Sequence, residues 1–132
     1  MAKANPTSIP MDPNMKLGPN PDENQPNCSS SYARLLGSLQ FLANSTRPDI
    51  SYAVNKLAAY TANPDFKHHG AIKRILRCLV GTKTLGITYK KSHDVTETDN
   101  LFQGYADAAY ANVDDFKSTN GYVLLAAGGA IT

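Results

Sequence analysis

The sequence predicts an α+β fold: three helices, then an antiparallel β-meander whose final strand is cut short. Three observations carry that expectation. Apolar residues recur at helical spacing across residues 32–80. The period then shifts towards two after Leu101, in the runs Leu101–Ala106 and Ser118–Ala126. The opening 31 residues show neither period and hold six of the eight prolines.

Residues 1–31, rich in Pro, Asn, Ser and Asp, read as a disordered or extended connecting arm lying along a partner surface rather than as a folded unit. The first helix is expected over Tyr32–Ala43, capped by Ser30 or Ser31, with Tyr32, Leu35, Leu36, Leu39, Leu42 and Ala43 on one side. Asn44–Pro48 separates it from a second helix, where Thr46 suits the cap and Pro48 the first turn. That helix buries Ile50, Ala53, Val54, Leu57, Ala58 and Thr61 and stops at Asn63-Pro64.

The third helix is expected over Asp65–Val80, with Ile72, Ile75, Leu76, Leu79 and Val80 in one stripe and Gly81 ending it. Leu85–Tyr89 reads as a strand closing a helical segment of residues 32–91, and residues 92–100 as a polar loop. In residues 101–132, a turn through Asn112–Asp115 joins two strands, and Gly128–Thr132 begins a third.

The net charge of +2 conceals an asymmetry. Residues 32–91 carry ten Lys and Arg against only Asp49 and Asp65, whereas residues 92–132 carry Lys117 against six acids. Lys67, Lys73, Arg74 and Arg77 fall on the helix face opposite the apolar stripe, and no acid occurs between Lys67 and Tyr89. A solvated face ordinarily mixes Glu with Lys, so an acid-free one fits phosphate contacts that position a nucleic acid without reading its sequence.

Cys28 and Cys78 form no disulfide framework, and no Cys/His spacing resembles a zinc site. His68, His69 and His93 read as structural or capping residues. No apolar run approaches a membrane span and no signal peptide is visible, so the chain is expected to be intracellular, cytoplasmic or nuclear, without membrane contact. Asp114-Asp115 reads as turn chemistry. Asp107 differs, because Asp is disfavoured inside a strand, and a residue that violates local preference is a functional candidate.

The run from Tyr32 to Leu57, through Ser38-Leu39-Gln40-Phe41-Leu42 and Arg47-Pro48-Asp49-Ile50, resembles the Pol polyprotein of copia-type LTR retrotransposons just after the reverse-transcriptase palm. Lys73-Arg74-Ile75-Leu76-Arg77 and Leu85–Tyr89 continue the resemblance. Gly104-Tyr105-Ala106-Asp107-Ala108 and Lys117-Ser118-Thr119 followed by Gly121-Tyr122-Val123 carry it into an RNase H-like domain. Pro10–Asn14 with Lys16-Leu17 resembles the connecting arm upstream.

The resemblance implies that the helices belong to the thumb and connection that grip primer–template duplex. It also implies that Asp107 is the first metal-binding carboxylate of a two-metal RNase H site, with Mg²⁺ in the intact parent. Ala109, Tyr110, Asn112 and Val113 stand where the family tends to have Asp, Trp, Gly and Asp. His69, Cys78, Val80 and Phe116 replace a usual Trp, Tyr, Lys and Arg.

By that resemblance the polymerase aspartates would precede residue 1 and the other RNase H carboxylates would follow residue 132. The expectation is a Pol fragment of a transposable element, with no polymerase or nuclease activity alone and no cofactor of its own. An RNA–DNA hybrid or DNA duplex would be held weakly by charge. The alternatives are an autonomous, salt-sensitive nucleic-acid-binding module, or a non-catalytic polypeptide that self-associates through an unfinished sheet edge.

Overall fold

The computed structural model describes residues 4–21, 29–89, 102–113 and 117–131. The chain divides into two units, residues 1–85 and 86–132. Together they make the expected α+β composition of three helices and a three-stranded antiparallel sheet.

In the first unit, α1 spans Ser29–Ser45, a 3-10 turn spans Pro48–Ile50, α2 spans Ser51–Ala58 and α3 spans Phe66–Gly81. α1 starts earlier than its periodicity suggests, so Ser30 and Ser31 lie within its first turn. It ends where the backbone N–H groups of Thr46 and Arg47 both reach the Leu42 carbonyl. Pro48 then opens the 3-10 turn with its φ already suited to helix and no N–H to satisfy. The cap expected from Thr46 is not formed. Arg47 holds that position, and its side chain caps nothing there.

The core joins Tyr32, Leu36, Leu39 and Ala43 of α1 to Ile50, Ala53, Val54 and Leu57, and to Ala71, Ile72 and Ile75 of α3. Burial of these apolar side chains, at about 1.5–3 kcal/mol each, is together the largest favourable contribution to the unit. Leu35 and Ala58 are exposed instead of buried, because α2 is only eight residues long and covers less of α1 than two full helices would. Tyr32 is fully buried, and its hydroxyl donates to the Leu57 carbonyl at 2.9 Å. Burial, with Asp65 and Tyr60 nearby, pushes its phenol up to about 12.

The largest difference from the sequence reading lies in the arm. Residues 4–21 form neither helix nor strand, yet Met11 and Leu17 are buried in the helical core, so the arm is part of that folded unit. Tyr60 fixes it further by donating to the Leu17 carbonyl at 3.1 Å. Two isolated apolar residues carry no period, which is why sequence pattern could not place them.

In the second unit, β1 spans Phe102–Val113, β2 Lys117–Ala126 and β3 Gly129–Ala130, in the order β1-β2-β3. β1 and β2 pair antiparallel with Asp107 opposite Gly121, and the register shifts between Ala109 and Val113. Ala127 and Gly128, at φ 50° and 75°, make the two-residue link from β2 to β3, with positive φ at both central positions as such a hairpin turn requires.

The strand expected at Leu85–Tyr89 is not formed. Its contacts run through side chains rather than a backbone ladder: the Tyr89 hydroxyl donates to the Ala130 carbonyl at 2.8 Å. The Tyr89 ring and Ile87 lie so close to Gly129 that a Cβ there would meet them at 2.7 and 2.9 Å. Cys28, His93, the loop expected at 92–100 and Asp114-Asp115 lie outside the described residues.

Candidate nucleic-acid interface

α3 begins at a capping box. Asp65 Oδ1 accepts from the His68 backbone N–H at 2.9 Å, and His68 Nδ1 accepts from the Asp65 backbone N–H at 2.9 Å. The imidazole takes the place of the usual Glu or Gln. It is fully buried and stacks on Tyr60 with ring centroids 4.2 Å apart, while His69 meets the Tyr32 ring edge-on at 5.2 Å. The capping role expected for His68 is therefore present.

Because Nδ1 accepts the amide proton, His68 is held neutral although Asp65 Oδ1 lies 2.8 Å from the same nitrogen. Burial lowers its pKa below the ordinary histidine value, opposed by the Asp65 charge and assisted by His69 and Lys67. The unfolded chain therefore takes up a proton at a higher pH than the folded chain. Stability is full above about pH 6.5, the unfolded histidine value, and falls as the pH drops below it. We expect denaturant midpoints to fall between pH 7.5 and 5, and to fall less steeply in His68→Gln, which keeps a capping-box side chain without titrating. Equal slopes in the two chains would contradict this assignment.

The same cap sets the rotation of α3. With His68, Ala71, Ile72, Ile75 and Cys78 turned into the core, Lys67 and Lys73 are left exposed. Arg74 and Arg77 are half-buried. Arg77 Nε donates to the Asn5 carbonyl, and Arg74 lies 3.9 Å from Asp12 Oδ2, with its own Nε buried and without a hydrogen-bond partner among the described residues. The four cations thus form two pairs: two lysines facing solvent, and two arginines touched by the arm.

Sequence reasoning passed over Arg47. Its side chain is 7% exposed and chelates Asp49 through two bonds of 2.8 and 2.7 Å. It also donates to Thr82 O at 3.0 Å and Thr82 Oγ1 at 2.6 Å. Thr82 in turn donates to the Cys78 carbonyl at 2.8 Å. One guanidinium thereby ties the α1–α2 junction to the C-terminal end of α3. Arg-Pro-Asp offered a faint signal, an Arg two residues before an acid at a helix start, but its partner Thr82 is 35 residues away.

Asp107 lies in the middle of β1, as its sequence context suggests, and is exposed. By register it shares a face with Tyr105, Ala109, Thr119 and Val123. These residues line an open depression of about 640 Å³. Among the described residues no group of three His, Cys, Asp or Glu side chains could hold a metal ion. A divalent ion such as Mg²⁺ needs several oxygen ligands, so Asp107 and its described neighbours do not fit one by themselves. Asp107 belongs to the second unit and the four cations of α3 to the first. No described helix is long and apolar enough to cross a membrane.

Fold and site define an α+β chain in which a helical unit with an acid-free basic helix precedes an antiparallel meander bearing a solitary strand carboxylate. The retrovirus-related Pol polyprotein from transposon RE2 of Arabidopsis thaliana is 41% identical over 125 residues, covering 94% of this chain and 8% of that protein. The corresponding polyprotein from transposon TNT 1-94 of Nicotiana tabacum is 35% identical over 138 aligned residues, covering 100% of this chain and 10% of its own length. The chain belongs to the retrovirus-related Pol polyproteins of copia-type transposons.

It spans a tenth or less of the length of those two relatives. A Plasmopara viticola protein named secreted RxLR effector protein 161 is 34% identical over 102 residues, which are 76% of this chain and 68% of that one. No protein-family model and no solved structure matches the chain.

Proposed function

We propose that this chain is the stretch of a Pol polyprotein that runs from the thumb and connection into the first strands of an RNase H-like domain. In this reading its helical unit contacts the phosphate backbone of an RNA–DNA hybrid or DNA duplex. The observation that carries it is the acid-free run from Lys67 to Tyr89, with Lys67 and Lys73 exposed on α3. The parent polyprotein would carry out RNA-directed DNA synthesis and hydrolysis of RNA in hybrids. Asp107 would supply one ligand of its two-metal nuclease site and Mg²⁺ the Lewis acid. No catalytic step is assigned to this chain alone, since one carboxylate neither holds an ion nor positions water.

The test uses the purified 132-residue chain with an RNA–DNA hybrid, in Mg²⁺, across a salt series. Binding that weakens steeply with salt, without cleavage, is the expected result. Cleavage abolished by Asp107→Asn would falsify the non-catalytic assignment, and a flat salt response would remove the phosphate contact.

A second reading is favoured by the relative of which this chain covers 68%. A protein of similar size is built largely of the same stretch, which supports an independent polyanion-binding module. Preference for duplex or hybrid over single strands supports the Pol reading. Indifference to strand geometry supports the module.

A further inference from the structure

The arm that packs into the helical unit also crosses the basic face of α3, and its two halves are held very differently. Residues 11–17 are anchored by the buried side chains of Met11 and Leu17 and by the Tyr60 hydroxyl on the Leu17 carbonyl. Residues 5–9 make slighter contacts. The Asn5 carbonyl accepts from Arg77, Pro6 rests on Gly81, the Ser8 carbonyl is 3.9 Å from Cys78 Sγ, and Ile9 is 44% exposed. At the start of the anchored half, Asp12 places a carboxylate 3.9 Å from Arg74. The arm therefore offers Arg77 a carbonyl and Arg74 an anion, the two kinds of oxygen that a phosphate backbone would also offer.

We propose that residues 5–9 form a strap that masks Arg77 while Asp12, in the anchored half, occupies Arg74, and that a nucleic-acid backbone lifts the strap and takes over from the Asp12 carboxylate, recruiting both arginines to the pair already formed by Lys67 and Lys73. The inference rests on the reading of α3 as a phosphate-contacting helix. The segment over Arg77 buries no large apolar side chain, so lifting it leaves the anchor of Met11 and Leu17 in place. A binding-competent form that is only partly populated lowers apparent affinity by that fraction, so loosening the strap tightens binding without adding a contact.

Gly81 offers a way to loosen it without altering charge. A Cβ at this helical position would sit 2.9 Å from Pro6 Cβ and 3.6 Å from the Thr7 carbonyl, so Gly81→Ala must push the strap away while suiting the helix itself. Asp12→Asn is the independent variant: it removes the competing charge and keeps an acceptor for the Asn14 backbone N–H, now bonded to Asp12 Oδ1 at 3.0 Å.

The experiment measures affinity for an RNA–DNA hybrid of the wild-type chain and both variants across a salt series, with phenylglyoxal modification of Arg74 and Arg77 mapped by peptide mass in each free chain. Gly81→Ala is expected to bind about tenfold tighter, the factor a hydrogen bond to a charged group commonly carries. Its salt slope should match that of the wild type, since both bound chains meet the same phosphates. Arg77 should react faster in the variant, and Arg77→Gln placed in the Gly81→Ala chain should remove most of the gain. Wild-type binding with no gain in either variant, or arginines equally reactive in all chains, overturns the strap while leaving α3 as the contact helix. No binding by any chain at low salt overturns the contact reading itself, and the strap with it.

Discussion

Arg47→Ala is expected to destabilise the helical unit by about 2–3 kcal/mol, the upper part of what leaving hydrogen-bonding groups without their donor costs. The estimate follows from where each partner sits. Asp49 is 37% exposed, so its carboxylate returns to water when the guanidinium is removed, and the ion pair itself counts for little. The cost arises at the other end. Thr82 O loses its donor, Thr82 Oγ1 loses a charged partner, and the α1–α2 junction is released from α3.

Arg47→Lys keeps the charge but cannot chelate Asp49 and reach Thr82 together, so it should fall between wild type and Ala. Urea unfolding followed by far-ultraviolet circular dichroism checks both. A loss below about 1 kcal/mol for Arg47→Ala, the typical size of any point substitution, would show that the clip is incidental. The hydrogen bond from Arg47 also lowers the Asp49 carboxyl below its ordinary range. Its contribution is therefore complete above that range, and is lost as the pH falls through the depressed folded value.

The second large effect is on binding. Lys67→Glu with Lys73→Glu is expected to weaken hybrid binding at low salt by roughly tenfold or more, and to flatten the salt slope by about two, one per lost phosphate contact. Both lysines are exposed, so the folded unit should be unaffected and its thermal midpoint unchanged. That separates them from Arg74 and Arg77, where reversal would also disturb the arm through Asp12 and Asn5. Titration of a fluorescent hybrid at three salt concentrations is sufficient. An unchanged slope would mean that α3 is an ordinary solvated helix.

Most of the helical unit was legible from residue order. Each helix announced itself by apolar spacing, and Pro48 and Asn63-Pro64 marked breaks through rules that act within one turn, whereas Gly81, expected as the C-cap, is the last residue of α3 without a positive φ and Thr82 takes the cap position. Asp107 was legible as a strand residue because it adjoins the strand-like run Leu101–Ala106. The length of β1 was less so, since Ala108, Ala109 and Ala111 carry no strand preference, and pairing with β2 extends the strand to Val113. Leu85–Tyr89 had a strand-like composition but gained no ladder, because its contact to β3 is made by Tyr89 and Ile87 side chains.

Residue order settled the α+β class, the three helices and the basic, acid-free character of α3, because these depend on periods and charges that neighbours a few positions apart already display. Only the folded chain decided which of those charges stand in water. Arg74 and Arg77 lie under an arm some seventy residues away, Arg47 finds Thr82 across 35 residues, and Met11 and Leu17 enter a core built by later helices. Such contacts join segments whose separation along the chain leaves no periodic trace, so tertiary packing alone selects them.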